Sequence, residues 1–433
     1  MDTDKSTDFR VRPARESDYN RWDQYAAGHP NSTLYHLYRW KNVVESSYGH
    51  KAFYLMAERS GVRPNQITSI KAGMTQSCCT SGFGGNSDRT EAKHFEINGA
   101  SNLFGADNTR NSINSATLEF PIVGVFPLVH IKHLLFGNNL ISLPFFDIGG
   151  ILADNEEVER ALLTEAVRIA RNVGAEAIEL RDVEPLSETS TASRFNRAIK
   201  SLSAGRAGSA ISATNLGHKV RMILRLPDSS EQLLKSFKSK LRSQIRKPIK
   251  EGLTSKIGGG ELLDPFYEVF ARNMRDLGSP VHSKTLIRSV LNFYQDRSRI
   301  ILIYQDDKPM AVGIVIGFEE TLENPWASSL REYSKLAPNM LLYWTMLEYA
   351  CDHGYKQFDF GRCTPGEGSY RFKEQWGAKP EPLHWRRISL KGEKAKTSIS
   401  EDSKFLMASE IWKKLPLSVT VFVGPMIRRY ISL

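Results

Sequence analysis

Two stretches of this 433-residue chain carry side chains whose types and spacing could do chemistry. The first is FDFGRCTPGEGSYRFKEQWGAKPEPLHW, residues 358–385. It opens with strand-like alternation, and then Gly361, Pro365, Gly366 and Gly368 stop the strand. Residues 361–368 therefore read as a turn at a sheet edge. Tyr370, Arg371, Phe372 and Lys373 follow, then Trp376. Such a turn can offer backbone N–H groups and the Lys373 ammonium to an oxygen that gains charge during acyl transfer, a term often dominant in that chemistry. Tyr370 could hydrogen-bond a substrate. Phe372 and Trp376, spaced i and i+4, also read as rings packed on the sheet. Asp359 alternates into the strand toward a cleft and Arg362 follows it. His384 and Glu367 are candidate bases with nothing to fix their geometry. Cys363 reads as an incidental thiol.

The second stretch is LLKSFKSKLRSQIRKPIKEGLTSKIG, residues 233–258. Lys235, Lys238, Arg242, Arg246 and Lys250 recur every three or four residues, with Lys247 among them. On one continuous helix they would form a single cationic stripe. Pro248 predicts a helix end or kink near Lys247. Like charges on adjacent turns repel, so the stripe calls for an anionic partner: tRNA, or a nucleotide- or lipid-linked sugar. A plainly solvated basic face is the alternative.

The elements that must position these groups are legible as a repeat. ALLTEAVRIARNVGAEAIELRD (161–182) aligns without a gap to LLYWTMLEYACDHGYKQFDFGR (341–362), pairing Gly174 with Gly354 and Glu179 with Asp359. Each copy predicts an amphipathic helix capped by glycine and then a strand. Upstream, 51–57 with 120–130 parallels 299–304 with 310–318: strand, turn, strand. The fold class expected is α/β of the α+β type: two related domains with mixed sheets flanked by helices, and a cleft between them. The expected domains are 1–186, with a polar, disordered insertion at 61–118, and 217–392. A connection spans 187–216 and a tail 393–433.

Composition bounds the partners. Hydrophobic residues make up 41% of the chain, enough for real cores, and the net charge of +10 favours anionic ligands. The start, MDTDKSTDFR, has no apolar core of a secretory signal, and no run is long enough to span a bilayer. The four cysteines lack metal-ligand or disulfide spacing, so a cytoplasmic chain without a tightly bound cofactor is expected. The apolar, basic tail from 405 to 433 could lie on the inner membrane as a peripheral contact or pack on the body.

FDFGR, GSYRFKEQWG and the following HW together resemble the C-terminal signature of FemAB-like proteins. The likeness is to the branch that accompanies exopolysaccharide and PEP-CTERM sorting systems in Gram-negative bacteria. It extends to residues 19–59, to FPLVHIKHLLFGNNLISLPFFDIGG and to RDLGSPVHSK. The resemblance implies tandem GNAT-like domains and transfer of an acyl or aminoacyl group to an amine of a cell-envelope precursor. It implies an anionic donor (acyl-CoA, acyl carrier protein or aminoacyl-tRNA) as co-substrate. It also implies that Phe372 and Lys373 hold the transferred carbonyl and the tRNA end. The resemblance places the donor and the amine acceptor in the inter-domain cleft, and its basic motif matches 233–258. Two departures stand out. YSKLAPNMLLYW (333–344) lacks the glycines of the CoA pyrophosphate loop, which argues against acetyl-CoA. No long heptad arm is present, which argues against tRNA. The second reading is a non-catalytic RNA- or membrane-binding accessory protein, using the basic helix and the tail.

Overall fold

A computed structural model describes residues 8–60, 120–134, 136–182, 212–217, 219–390 and 403–432. The expected insertion 61–118 and most of the connection 187–216 lie outside the described residues. The chain divides into a unit of Met1–Asp8 with Arg59–Pro121 and a unit of Phe9–Glu58 with Ile122–Leu433. In the first, the Ser60 N–H donates to the Asp8 carbonyl and the Arg59 N–H to that of Pro121. All that follows concerns the second.

The N-terminal half starts with β1 (Phe9–Pro13), α1 (Tyr19–Gly28), α2 (Trp40–Tyr48), β2 (Lys51–Ala52) and β3 (Leu55–Arg59). It continues with β4 (Ile122–Phe126), β5 (Val129–His133), β6 (Gly137–Ile141), β7 (Leu152–Ala153), α3 (Glu156–Asn172) and β8 (Ala177–Asp182). The expected strand at 51–57 is broken at Phe53–Tyr54, and its two pieces pair antiparallel with β5 and β4. A short 3-10 turn, Leu34–His36, precedes α2. α3 begins where Asn155 accepts from the N–H groups of Glu157 and Val158, with Glu156, Glu157 and Glu159 in its first turn beside the positive end of the helix dipole. It buries Val158, Leu162, Ala166 and Val167 on the sheet.

The C-terminal half holds β9 (Ser212–Asn215), β10 (Val220–Arg225), α4 (Ser230–Ser236), α5 (Ser239–Lys250), β11 (Thr254–Gly258), α6 (Leu263–Asp276) and α7 (Lys284–Phe293). Then come β12 (Ser298–Gln305), β13 (Lys308–Phe318), β14 (Thr321–Ser329), α8 (Pro338–Asp352), β15 (Gln357–Cys363), α9 (Gly368–Glu374), β16 (Lys379–Pro382) and β17 (His384–Ser389). The tail forms α10 (Ser403–Lys413) and α11 (Leu417–Arg428).

The repeat is real in three dimensions. β6 runs parallel to β8, with Ile141 opposite Glu179, and β14 runs parallel to β15, with Glu323 opposite Asp359. Helices α3 and α8 precede the second strand of each pair. Both end at a left-handed glycine, Gly174 at φ +67° and Gly354 at φ +78°. The Ala175 N–H reaches back to the Ala170 carbonyl and the Tyr355 N–H to that of Ala350, closing each helix in the same way. In the C-terminal half the pairing ends at Glu323 and Asp359, whereas in the N-terminal half Ser142 stays bonded to Glu179 and Arg181. The fold is two tandem GNAT-like domains of mixed α/β structure.

The expected boundaries are crossed in one respect. β17 lies within the stretch assigned to the C-terminal domain, yet it pairs with β8 and completes the N-terminal sheet together with β9. β10 takes the corresponding place beside β15. One hydrophobic core runs through both halves, from Trp22 and Trp40 to Phe266 and Trp326.

Three local expectations fail. The basic segment is two helices, not one, because Phe237 and Lys238 are extended between them. Lys235 and Lys238 therefore leave the stripe. Pro248 sits inside α5 without ending it. It lies in the last turn, where only its own missing N–H is lost, and the helix stops at Gly252, φ +81°. Residues 370–373, read as part of a turn, belong to the short helix α9.

Candidate functional site

Where the two halves meet is a narrow crevice of about 10 Å³, room for about one water, open on one side to solvent. The N-terminal half contributes Tyr35, Asp147 and Ile148; the C-terminal half contributes Arg221, Glu323, Asn324, Asp359 and Gly361. Its centre is the point where β14 and β15 part. Their last paired residues, Glu323 and Asp359, are both buried and side by side.

The opening has a local cause. β13 pairs Ile314 with Trp326 but Ile316 with Glu323, so β14 bulges at Asn324–Pro325. The Asn324 amide replaces the missing ladder bonds, donating to the carbonyls of Ile314 and Trp326 at 2.8 and 3.0 Å. Gly361, φ +75°, turns β15 away on the other side, and its N–H donates to Asp359 Oδ1 at 2.7 Å.

Two carboxylates this close cannot both ionise readily. Burial and then the charge of Asp359 push Glu323 up to about 8, opposed first by the charge of Arg221. Burial raises Asp359 to about 6, opposed first by Arg221, whose Nη1 stands 3.8 Å from Asp359 Oδ2. The pair therefore keeps a proton to higher pH than two free carboxylates would. Arg221 is also held by Glu381 at 2.6 Å. Asp147 accepts from the Arg362 N–H and lies 3.4 Å from Arg362 Nε, while the Arg362 guanidinium covers the Trp385 ring.

The residues anticipated from sequence fall into three groups. Asp359 is at the centre of the cleft and Arg362 at its edge. Lys373 is buried beneath it: its ammonium donates to the carbonyls of Gly361 and Arg362, both at 2.9 Å. Burial lowers its pKa. Phe372 and Trp376 pack edge-on to one another, with Phe372 also edge-on to Tyr343, and Tyr370 leans on the same core. None of these three rings lines the cleft. On α5, Arg242 is turned back onto the carbonyls of Phe237 and Lys235, whereas Arg246, Lys247 and Lys250 are exposed without ion-pair partners among the described residues. α8 has Ala337 at its N-cap, in the left-handed region at φ +56°. His384 lies on β17, Glu367 N-caps α9 without a side-chain bond, and Cys363 is buried.

Sequence reasoning missed Glu323, Tyr35, Asp147 and Arg221. The available signal was Glu323 itself, a carboxylate following Leu322 in a segment whose repeat partner, 137–141, is a strand.

The equivalent place in the N-terminal half is closed. Ile141 stands where Glu323 would be, and Arg181 stands where Gly361 would be. The Arg181 guanidinium is fully buried, bonding Glu179 at 2.7 Å and the carbonyls of Phe146 and Ser432. Ser432 reaches this point because the tail packs on the body, with Arg428 on His282 and Tyr430 against His50.

Comparison with known proteins places these features. Residues 235–374 match the model of the acetyltransferase (GNAT) domain. The C-terminal half carries a GNAT domain. Glu323 and Asp359 both fall inside it. The crystal structure of FemX superposes with a TM-score of 0.55 at 15% identity, covering 87% of this chain and 96% of that one. A tandem GNAT protein from the clavulanic acid biosynthesis pathway gives 0.49 at 11% identity, with 89% and 100% covered. L-PGS from Bacillus licheniformis gives 0.41 at 13% identity, with 68% and 87% covered. Comparison with curated proteins gives no match. Among the described residues no group of His, Cys, Asp and Glu is arranged to hold a metal ion, and no helix is long and apolar enough to cross a membrane.

Proposed function

We propose that this protein is an acyl- or aminoacyl-transferase of FemAB type, acting on an amine of a cell-envelope or exopolysaccharide precursor of the kind that accompanies PEP-CTERM systems. The observation that carries the reading is the buried Glu323–Asp359 pair at the parting of two parallel strands within a GNAT domain. An amine acceptor reaches the cleft as an ammonium ion, which cannot attack. The ionised carboxylate of the pair removes one proton. The amine nitrogen then bonds to the donor's carbonyl carbon. The bond from that carbon to the donor's sulfur or oxygen breaks, the leaving atom keeps the electron pair, and the second nitrogen proton passes to it. The amide and the protonated leaving group result.

Lys373 serves this scheme through the backbone it grips, fixing Gly361 and Arg362, while Arg221 keeps Asp359 ionised. Phe372, Trp376 and Tyr370 form the packed support of that turn. Arg246, Lys247 and Lys250 offer the exposed positive face to an anionic donor, whether acyl-CoA, an acyl carrier protein thioester or aminoacyl-tRNA. Ala337 in place of a glycine-rich loop before α8 fits a CoA pyrophosphate poorly.

The test is donor consumption by purified protein across acetyl-CoA, longer acyl-CoAs, acyl carrier protein thioesters and charged tRNAs, each with amine acceptors. One class is expected to be consumed, and Glu323→Gln or Asp359→Asn to abolish it. No consumption by any donor, or full activity in both variants, overturns the reading.

A peripheral membrane contact through the tail is the second reading. It is favoured by Leu406, Met407, Ile411, Val419, Phe422 and Met426, all exposed on α10 and α11. Co-sedimentation with anionic vesicles that is lost in Phe422→Ser supports it; no sedimentation refutes it.

A further inference from the structure

RDLGSPVHSK, residues 275–284, lines no part of the crevice, yet the tail is built against it. A Cβ on Gly278 would strike Ser409 of α10, and one on Gly424 of α11 would stand 3.2 Å from Val281 Cγ1. His282 is buried and receives the end of α11. Burial keeps its ring neutral. Arg428 Nε can only donate, and it reaches His282 Nε2 at 3.1 Å. The imidazole proton is therefore on Nδ1, which donates to the hydroxyl oxygen of Tyr48 at 2.9 Å. Tyr48 belongs to the N-terminal half, and beyond Arg428 the chain crosses to that half. Arg429 donates to the Tyr48 carbonyl, and its own carbonyl accepts from His50 Nε2 at 2.6 Å. The Tyr430 ring lies 4.3 Å from that of His133. The Ser432 carbonyl accepts from the Phe145 N–H at 2.8 Å and from Arg181 Nη2 at 3.0 Å.

The backbone where the tail arrives is strained. Leu143 and Phe145 lie in the left-handed region at φ +48° and +76°, which bulky side chains adopt only where their surroundings impose it. Those surroundings are the seat of the tail itself. The Phe145 ring meets Tyr48 at 5.0 Å and His282 at 5.7 Å, and its N–H is the one that Ser432 holds. Two residues on is Asp147, in the crevice wall. We propose that residues 428–432 are a strap that positions Asp147. Seated on 275–284 of one half, they hold the left-handed backbone of the other half that brings this carboxylate to the crevice, where it draws in the acceptor's ammonium group. The part given to Asp147 rests on the transferase reading above; the strap stands on its contacts. Glu323 and Asp359 lie on β14 and β15, which none of the tail's bonds named here reaches. The strap therefore governs how the acceptor is held rather than how fast it reacts.

Two variants of the full-length protein test this. Arg428→Met removes the donor to His282. Tyr430→Ala removes the ring beside His133 at a half-buried position, which covers the case of a poorly folding Arg428→Met. Hydrogen–deuterium exchange needs no turnover. In both variants residues 143–149 are expected to exchange about tenfold faster than in the parent, the scale of one lost hydrogen bond, with β12 and β13 unchanged. In transfer assays KM for the acceptor should rise severalfold while kcat holds, and Asp147→Asn should do the same. Parent exchange at 143–149 in both variants overturns the proposal, whether or not the tail itself has loosened. Faster exchange throughout the chain, with kcat and KM changing together, marks a structural brace alone and overturns it too. Faster exchange at 143–149 with KM unmoved refutes the part given to Asp147. A wall that loosens in a protein that consumes no donor leaves the strap standing and refutes the transferase reading instead.

Discussion

Lys373 is where sequence and structure invite different experiments, and its replacement by methionine separates them. The side chain is 7% exposed, and its ammonium spends two N–H groups on the carbonyls of Gly361 and Arg362. Methionine fills nearly the same space and donates nothing. Two carbonyls lose charge-assisted partners, at about 1–3 kcal/mol each. Part of that is returned, because the ammonium no longer has to be buried, a cost visible in its lowered pKa. The net loss is about 2–4 kcal/mol. For a chain of this size that corresponds to a fall in Tm on the order of 5 °C. Calorimetric unfolding at neutral pH reads it directly. Transfer activity should also drop, because the turn that shapes Asp359 and Arg362 is loosened. A Tm equal to that of the parent, with turnover abolished, would refute the reasoning and restore Lys373 to direct contact with the reacting carbonyl.

Other outcomes follow from the same geometry. Glu323 keeps its proton in the folded chain up to about pH 8 but gives it up near 4.5 when unfolded, so its contribution is whole below pH 4.5 and is lost as pH rises through 8. Denaturant titrations should show the parent losing stability between pH 5 and 9, and Glu323→Gln losing measurably less. Arg181→Met strands a buried Glu179 carboxylate and two carbonyls, so about 3–5 kcal/mol should be lost in urea unfolding, with part recovered by adding Glu179→Gln. Arg246→Glu combined with Lys250→Glu should raise KM for an anionic donor severalfold with little change in kcat, an effect that shrinks as salt is added.

Much of the scaffold was legible because its signals are local. The helix stripes and the glycines at 174 and 354 in the two repeat segments each act within a few residues. The gapless repeat fixed which strands had to be related. The reaction centre was less legible, because what defines it is register. Glu323 faces Asp359 only because a bulge at Asn324 lets β14 and β15 part there, and Tyr35 arrives from nearly 300 residues away in sequence. No spacing in the chain encodes that meeting. The cations misled for a related reason. Lys373 looked free because helix α9 read as a turn, and burial later assigned its charge to backbone carbonyls. The basic stripe was placed on the wrong break: Pro248 reads as the interruption, and Phe237 gives no warning of the extended one.

The way β17 leaves its own half to close the sheet of the other has a bearing on how this molecule could be taken apart. Of gene fragments cut between the repeats, the first would end on a bare β8 and the second would carry an orphaned β17. Neither is a candidate for separate crystallisation or for transplanting as a module. Co-expressed, the two fragments should find each other and rebuild one body through that borrowed ribbon and the shared core, as a split reporter does.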